Sequence, residues 1–337
     1  MKNIIGIRHE DKYVMERRVA IIPEHLRKLN EKGLKFQVQT SPKRVYSDEA
    51  FRSSGAEIVS SLDEANVVFG VKEMPIDFFQ EGKTYIFFSH VIKGQEYNMP
   101  MLKKMMEEKC NLIEYEKIAD EEGRRLIFFG RFAGLAGMIN SLWSLGLRLE
   151  HYGYDTPFKN LKQTHKYNSL EEAKADIREV GHWISENGLP EELIPLTIGL
   201  TGYGNVSNGA QEIADLLPGM YITPKELVEL EKRDMLPDNI IYKVVFKEED
   251  IVEPNAGQSF ELYDYYNHPE KYDSKFEMYL PHLSILMNCM YWDDRYPRIV
   301  TKDYLKAAFK KGTPKMQVIG DVTCDPDGSI ECTFKGT

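Results

Sequence analysis

The sequence has little cysteine: four residues in 337, at Cys110, Cys289, Cys324 and Cys332. None forms a C-x-x-C pair and four cannot staple a chain of this length, so they read as reduced thiols in a reducing, cytosol-like compartment. No apolar run approaches the ~18 residues that a membrane-crossing helix needs. Met1-Lys2-Asn3 runs straight into the strand-like Ile4-Ile5-Gly6-Ile7, so no signal or transit peptide is expected, and a cytoplasmic location is expected rather than the mitochondrial matrix. Basic residues are not in excess, and the net charge is −10. Nucleic-acid binding needs a basic face, so the charge argues against that class, whereas a small anionic substrate needs only a local Arg or Lys cluster. His and Cys are not spaced as metal ligands. There is no internal repeat or low-complexity tract.

What is present points to two α/β domains, since 337 residues exceed a typical single domain. Strands are expected at 3–8, 35–40, 66–72, 83–89 and 111–115, with helices between them at 23–33, opened by Pro23 and closed near Gly33, and at 98–109. Strands alternating with helices imply a mostly parallel sheet covered on both faces, and the nearly all-apolar strands fit that burial. A helix over 134–150 carries Leu135, Ile139, Leu142, Leu145 and Leu149 at helical spacing. Gly134, Ala136 and Gly137 would let it approach a neighbour closely. A further helix at 170–186 precedes strands at 196–201, 220–223, 241–246, 284–290 and 316–322.

The second series holds the clearest motif. The strand Leu196–Thr201 runs into Gly202-Tyr203-Gly204-Asn205-Val206-Ser207 and a helix to about Leu217. This is a G-x-G-x-x-S variant of the dinucleotide fingerprint. Gly202 would make the tight turn, and Gly204 would let backbone N–H groups and the helix N-terminus reach a pyrophosphate. The bland alternative is an ordinary glycine-rich turn, but the strand before and the helix and strand after favour nucleotide binding. An acidic residue ~20 positions past the first glycine would mark NAD. That stretch reads Ile222-Thr223-Pro224-Lys225-Glu226, so Thr223 and Lys225 are expected to face the nucleotide, and Lys225 favours NADP over NAD.

In the first series, Lys72, His90 and Glu116 each follow a different expected strand. Successive parallel strands point the same way, so these groups would share the sheet edge where ligands of open α/β sheets bind. Each alone is bland, a solvated lysine or a structural histidine, but together they suit acid–base chemistry. A neighbouring charge and partial burial would bring the lysine toward neutrality, where histidine already titrates. Arg18 is a candidate for a bidentate grip on a substrate carboxylate.

The segments ERRVAIIPEH, FGVKEMP, YIFFSHVIKGQEYNMP, LIEYEKIADEEGRRLIFFGRFAGLAGMIN, LTGYGNVSNGAQ, LMNCMYWDDRYPRIVT and IGDVTCDPDGSIECT resemble the lysine-ketoglutarate reductase module. That module forms saccharopine, alone or as the first half of aminoadipic semialdehyde synthase. More distantly the chain is similar to lysine-forming saccharopine dehydrogenase and to alanine dehydrogenase. The resemblance implies two Rossmann-like domains of the alanine dehydrogenase type with the active site in the cleft between them. Residues 1–133 would bind substrate, with 322–337 returning to that domain, and 134–321 would bind the nucleotide. It implies Lys72 and His90 as the acid–base pair, tuned by Glu116, and Arg18, Lys93 and Lys12 as substrate contacts. Asp321 would lie near the nicotinamide. The implied reaction condenses L-lysine and 2-oxoglutarate to saccharopine with NADPH, NADH being second choice, and needs neither metal, nucleic acid nor membrane; a homo-oligomer is left open. An alanine-type amino-acid dehydrogenase and a nucleotide-binding protein without turnover are the alternatives. Members of the family continue past a GSIE-type segment with a stretch that folds back on the first domain, whereas this sequence ends at Thr337.

Overall fold

Short runs of β-branched and aromatic residues become the strands of the first sheet. They are β1 (Ile4–Ile7), β2 (Lys35–Gln39), β3 (Glu57–Val59), β4 (Val67–Phe69), β5 (Thr84–Phe87) and β6 (Asn111–Glu114). Helices α1 (Pro23–Asn30), α2 (Asp48–Ser53) and α3 (Met99–Glu107) connect them. The computed structural model describes residues 4–334 apart from 231, 234 and 256, and of Lys93 only the backbone. Pro23 opens α1, where its missing N–H costs nothing, and the Ser47 side chain caps α2 by accepting from the Ala50 N–H. The strands run parallel in the order β3-β2-β1-β4-β5-β6. Ile7, Leu26, Phe36, Val38 and Phe51 form one buried cluster, and Val68, Tyr85, Phe87, Met101 and Met105 another. Each such side chain contributes roughly 1.5–3 kcal/mol on leaving water. The α2–β3 segment was not expected, because DEAFRSSGAEIV is short and mostly polar.

Two compact units result, Met1–Phe128 and Phe129–Thr337. The second begins with α4 (Gly130–His151) and α5 (Leu170–Asn187). It continues through β7 (Thr197–Thr201), α6 (Asn205–Ala214), β8 (Gly219–Tyr221), α7 (Pro224–Leu230) and β9 (Ile241–Phe246). After α8 (Glu248–Ile251), β10 (Val252–Pro254), α9 (Leu262–Asn267) and β11 (Tyr272–Ser274) come β12 (Ile285–Asn288), α10 (Lys302–Lys311) and β13 (Val318–Asp321). β10 and β11 form a small antiparallel pair, and the main sheet is parallel in the order β13-β12-β7-β9-β8. Glycine sets the contact between α4 and α6. A Cβ on Gly134 would stand 1.8 Å from the Val206 carbonyl oxygen, and one on Gly209 2.0 Å from that of Arg131.

The boundary therefore falls before α4 rather than at 133/134, because Leu135, Met138 and Ile139 pack with Ile198 and Leu200 in the second core. Residues 322–334 pack within the second unit. Val322 packs on that same core, Ile330 is buried with Ile299 and Val300, and the Ser329 hydroxyl accepts from Asn288. Among the described residues no helix is long and apolar enough to cross a membrane.

Candidate active site

In the first sheet the strand order reverses direction between β1 and β4, and this switch point is where open α/β sheets take their ligands. The tails of both strands meet there. Glu10, beyond β1, is buried, and its two carboxylate oxygens accept the N–H groups of Val71 (2.8 Å) and Lys72 (2.9 Å) beyond β4. Burial raises its pKa against the pull of those bonds. Glu10 thus fixes the backbone that carries Lys72. The Lys72 amine is brought below its ordinary range by burial first and by the Arg18 charge second, the direction a general base requires.

Glu73, the residue after Lys72, holds the rest of the site together. Its Oε1 lies 2.8 Å from His90 Nδ1 and its Oε2 lies 2.7 Å from Lys12 Nζ. Burial opposes its ionisation, but the bonds from His90 and Lys12 prevail and hold the carboxyl at about 2. An ionised carboxylate only accepts, so His90 donates through Nδ1–H and presents Nε2 as its reactive nitrogen. For Lys12, burial works against the charge and Glu73 outweighs it, raising the pKa above the usual lysine value.

His90 leaves β5 in the left-handed conformation, φ 55° and ψ 12°, which a residue with a Cβ adopts at some cost. The turn is pinned from β6. Glu114 is buried, and its Oε2 accepts the Ser89 N–H at 2.8 Å and the Ser89 hydroxyl, while Oε1 takes the Glu116 N–H at 3.2 Å. The imidazole stacks on Phe88, whose ring also meets Tyr115 edge-on and the Arg125 guanidinium.

Of the residues expected from sequence, Lys72, His90 and Lys12 come together at this edge. Arg18 joins them by its charge on Lys72, its guanidinium oriented by Glu16 through Nε–Oε1 at 2.7 Å and Nη2–Oε2 at 2.5 Å. Glu116 instead pairs with Arg125 at 3.3 Å, and the carboxylate bonded to the histidine is Glu73. The side chain of Lys93 lies outside the described residues. Glu10, Glu73 and Glu114 were missed. Each lies at or just past the end of a strand on the ligand-binding edge, but nothing local in the sequence separates it from a glutamate that faces water.

In the second sheet, Gly202 turns the chain at φ 76° and Gly204 is the N-cap of α6 without a side-chain cap. A Cβ on Gly204 would meet nothing within 4 Å. Open space beside an uncapped helix start fits a dinucleotide pyrophosphate, which Gly202, Tyr203, Gly204, Asn205 and Val206 would hold mainly by backbone N–H groups. Thr223 and Lys225 do not stand beside this turn. β8 is the outer strand, and β9 lies between it and β7. The Thr223 N–H and hydroxyl donate to Glu226 at 2.7 and 2.9 Å, so this pair closes the start of α7. Asp321 Oδ1 accepts from Asn288 (2.8 Å) and Thr323 (2.7 Å), and Oδ2 accepts from Thr333 (2.5 Å). It fastens the last segment to β12.

Comparison with known proteins agrees with this architecture. Residues 6–136 match the family model for the alanine dehydrogenase/PNT N-terminal domain. Over 99% of its length the chain is 37% identical to alpha-aminoadipic semialdehyde synthase of Arabidopsis thaliana, covering 33% of that protein. It therefore spans about a third of that relative. The lysine-forming, NAD(+) saccharopine dehydrogenase of Yarrowia lipolytica is 24% identical over 92% of this chain and 72% of its own. Among solved structures, an L-alanine dehydrogenase superposes with a TM-score of 0.56 at 18% identity, covering 98% of this chain and 76% of that one. Residues 6–136 thus match an alanine dehydrogenase/PNT N-terminal domain, and along its whole length the chain is similar to a module contained in the aminoadipic semialdehyde synthases.

Proposed function

We propose that this chain is an oxidoreductase of lysine metabolism that condenses L-lysine with 2-oxoglutarate to saccharopine, reversibly, with a nicotinamide nucleotide. The observation that carries the reading is a lysine amine, Lys72, brought below its ordinary range by burial and Arg18 and followed in the chain by the ionised partner of His90. Neutral Lys72 takes one proton from the ε-ammonium of substrate lysine, and the freed amine attacks the keto carbon of 2-oxoglutarate, its surplus proton passing to the new alkoxide to give a hydroxyl. The imidazolium of His90 gives a proton through Nε2 to the departing hydroxyl, which leaves as water. Glu73 keeps the ring oriented and balances its charge. The bound nicotinamide nucleotide supplies hydride in this direction and accepts it in the other. Lys72 then returns its proton to the new secondary amine, and one solvent proton resets His90. Arg18 and Lys93 complement the substrate carboxylates.

Nucleotide oxidation followed in solution tests this. The reading requires turnover that depends on both lysine and 2-oxoglutarate together. Turnover with pyruvate and ammonium in their place would point to an alanine-type dehydrogenase. Tight nucleotide binding without turnover under either pair would leave a binding protein.

A further inference from the structure

The order of strands in the second sheet decides which residues stand beside the glycine turn. β9 pairs with β7 in a register that sets Phe246 against Thr201, and the Gly202 N–H donates to the Phe246 carbonyl at 2.9 Å. The chain therefore leaves β7 through Gly202-Tyr203-Gly204 and leaves β9 through Lys247-Glu248, side by side. Glu248 faces the turn. Its Oε1 accepts from the hydroxyl of Tyr203, inside the turn, at 3.5 Å and from that of Tyr266 at 2.6 Å. Burial and that bond raise the Tyr266 pKa, so its phenol stays a donor and holds the carboxylate in place.

In a dinucleotide fold the adenosine ribose lies over the tip of the strand that flanks the glycine turn. Here that tip belongs to β9. A carboxylate there accepts the ribose 2′-hydroxyl and repels a 2′-phosphate. Lys247, exposed at the same tip, is the competing reader of a phosphate, but Glu248, Glu249 and Asp250 follow it and leave the tip acidic. Resting on the dinucleotide reading above, we propose that Glu248 selects the nucleotide and that this chain prefers NAD(H) to NADP(H). The expectation drawn from Lys225 is thereby reversed, since it took the next strand in sequence for the next strand in the sheet.

Dissociation constants for NADH and NADPH, measured on the full chain by calorimetry without substrates, test the proposal. NADH binds about tenfold more tightly or better, the scale of one charged hydrogen bond. Glu248→Ala, and Glu248→Gln, which keeps the shape and removes the charge, each lower that preference by about tenfold, chiefly by improving NADPH. Tighter NADPH binding by the wild type would overturn the proposal. So would an unchanged ratio in both Glu248 variants, or a larger change in Lys225→Ala than in Glu248→Gln. Binding of neither nucleotide would sink the dinucleotide reading itself, and this proposal with it.

Discussion

At the C-terminal edge of the first sheet the polar groups are charged side chains held by other charges or by backbone N–H groups: Glu10 on the Lys72 backbone, Glu73 between His90 and Lys12, Glu16 on Arg18. At the ends of β7, β12 and β13 in the second sheet they are mostly amides and hydroxyls. Thr201, Asn288, Ser329, Thr323 and Thr333 form a neutral network around Asp321, and the glycine turn offers backbone. Both edges belong to parallel sheets, so strand geometry does not account for the difference. Proton transfer needs groups kept in unequal protonation states, which takes fixed neighbouring charges in partial burial. The pyrophosphate of a nucleotide needs unobstructed N–H groups and little else.

Removing the ions of the first edge should have the largest effect. His90→Ala and Lys72→Met are each expected to lower kcat by ~10²-fold or more, with nucleotide affinity retained. Steady-state rates and nucleotide titrations on the same preparations check this. Wild-type rates in both variants would break the division of labour between the edges.

The contrast was only partly legible in the sequence. Lys72 and His90 could be found because strand ends in a parallel sheet share an edge, and the glycine turn could be found because its spacing has one physical reason. The carboxylate clamps were hidden. A glutamate after a strand looks the same whether it faces water or, like Glu10, accepts two N–H groups from a segment 61 and 62 residues away. The left-handed turn at His90 depends on Glu114 across the sheet, so no local pattern announces it. Strand order was hidden too. Thr223 follows the glycine helix in sequence, yet the inserted β9 separates it from the turn. The start of α4 was placed late because Gly130, Arg131 and Phe132 read as loop until packing against α6 is known.

On the second edge the sharpest test is steric. Gly134→Ala would drive a Cβ into the Val206 carbonyl and push α4 off α6, costing about 2–3 kcal/mol. Denaturant unfolding should show the loss, and a variant as stable as wild type would mean that the helices do not pack backbone to backbone.

A titration of stability probes the first edge alone. Glu73 has its folded pKa depressed to about 2 from the ordinary 4.5. Its stabilising contribution is thus complete above about 4.5 and is lost as pH falls through about 2. Wild type should exceed Glu73→Gln by about 1–2 kcal/mol near neutral pH, the worth of charge-assisted bonds. That gap should close on acidification, as read from thermal unfolding across a pH series. A gap that persists into acid would assign the effect to packing instead.

The smallest effect expected concerns Arg18 and is a shift in position rather than a loss. Its positive charge disfavours protonated Lys72 and is the second cause, after burial, of the depressed lysine pKa. Arg18→Met removes that repulsion, so the Lys72 pKa moves back up toward the ordinary lysine value. The base form of Lys72 is then reached only at higher pH. In the saccharopine-forming direction, the limb of the kcat profile that rises with pH should move upward by a fraction of a unit. Burial, which the substitution leaves largely in place, should keep it below the usual lysine range. A profile that stays put while the KM for 2-oxoglutarate rises would leave Arg18 as a substrate contact alone, and the second cause of the Lys72 shift would have to be sought among Lys12 and the other charges of that edge.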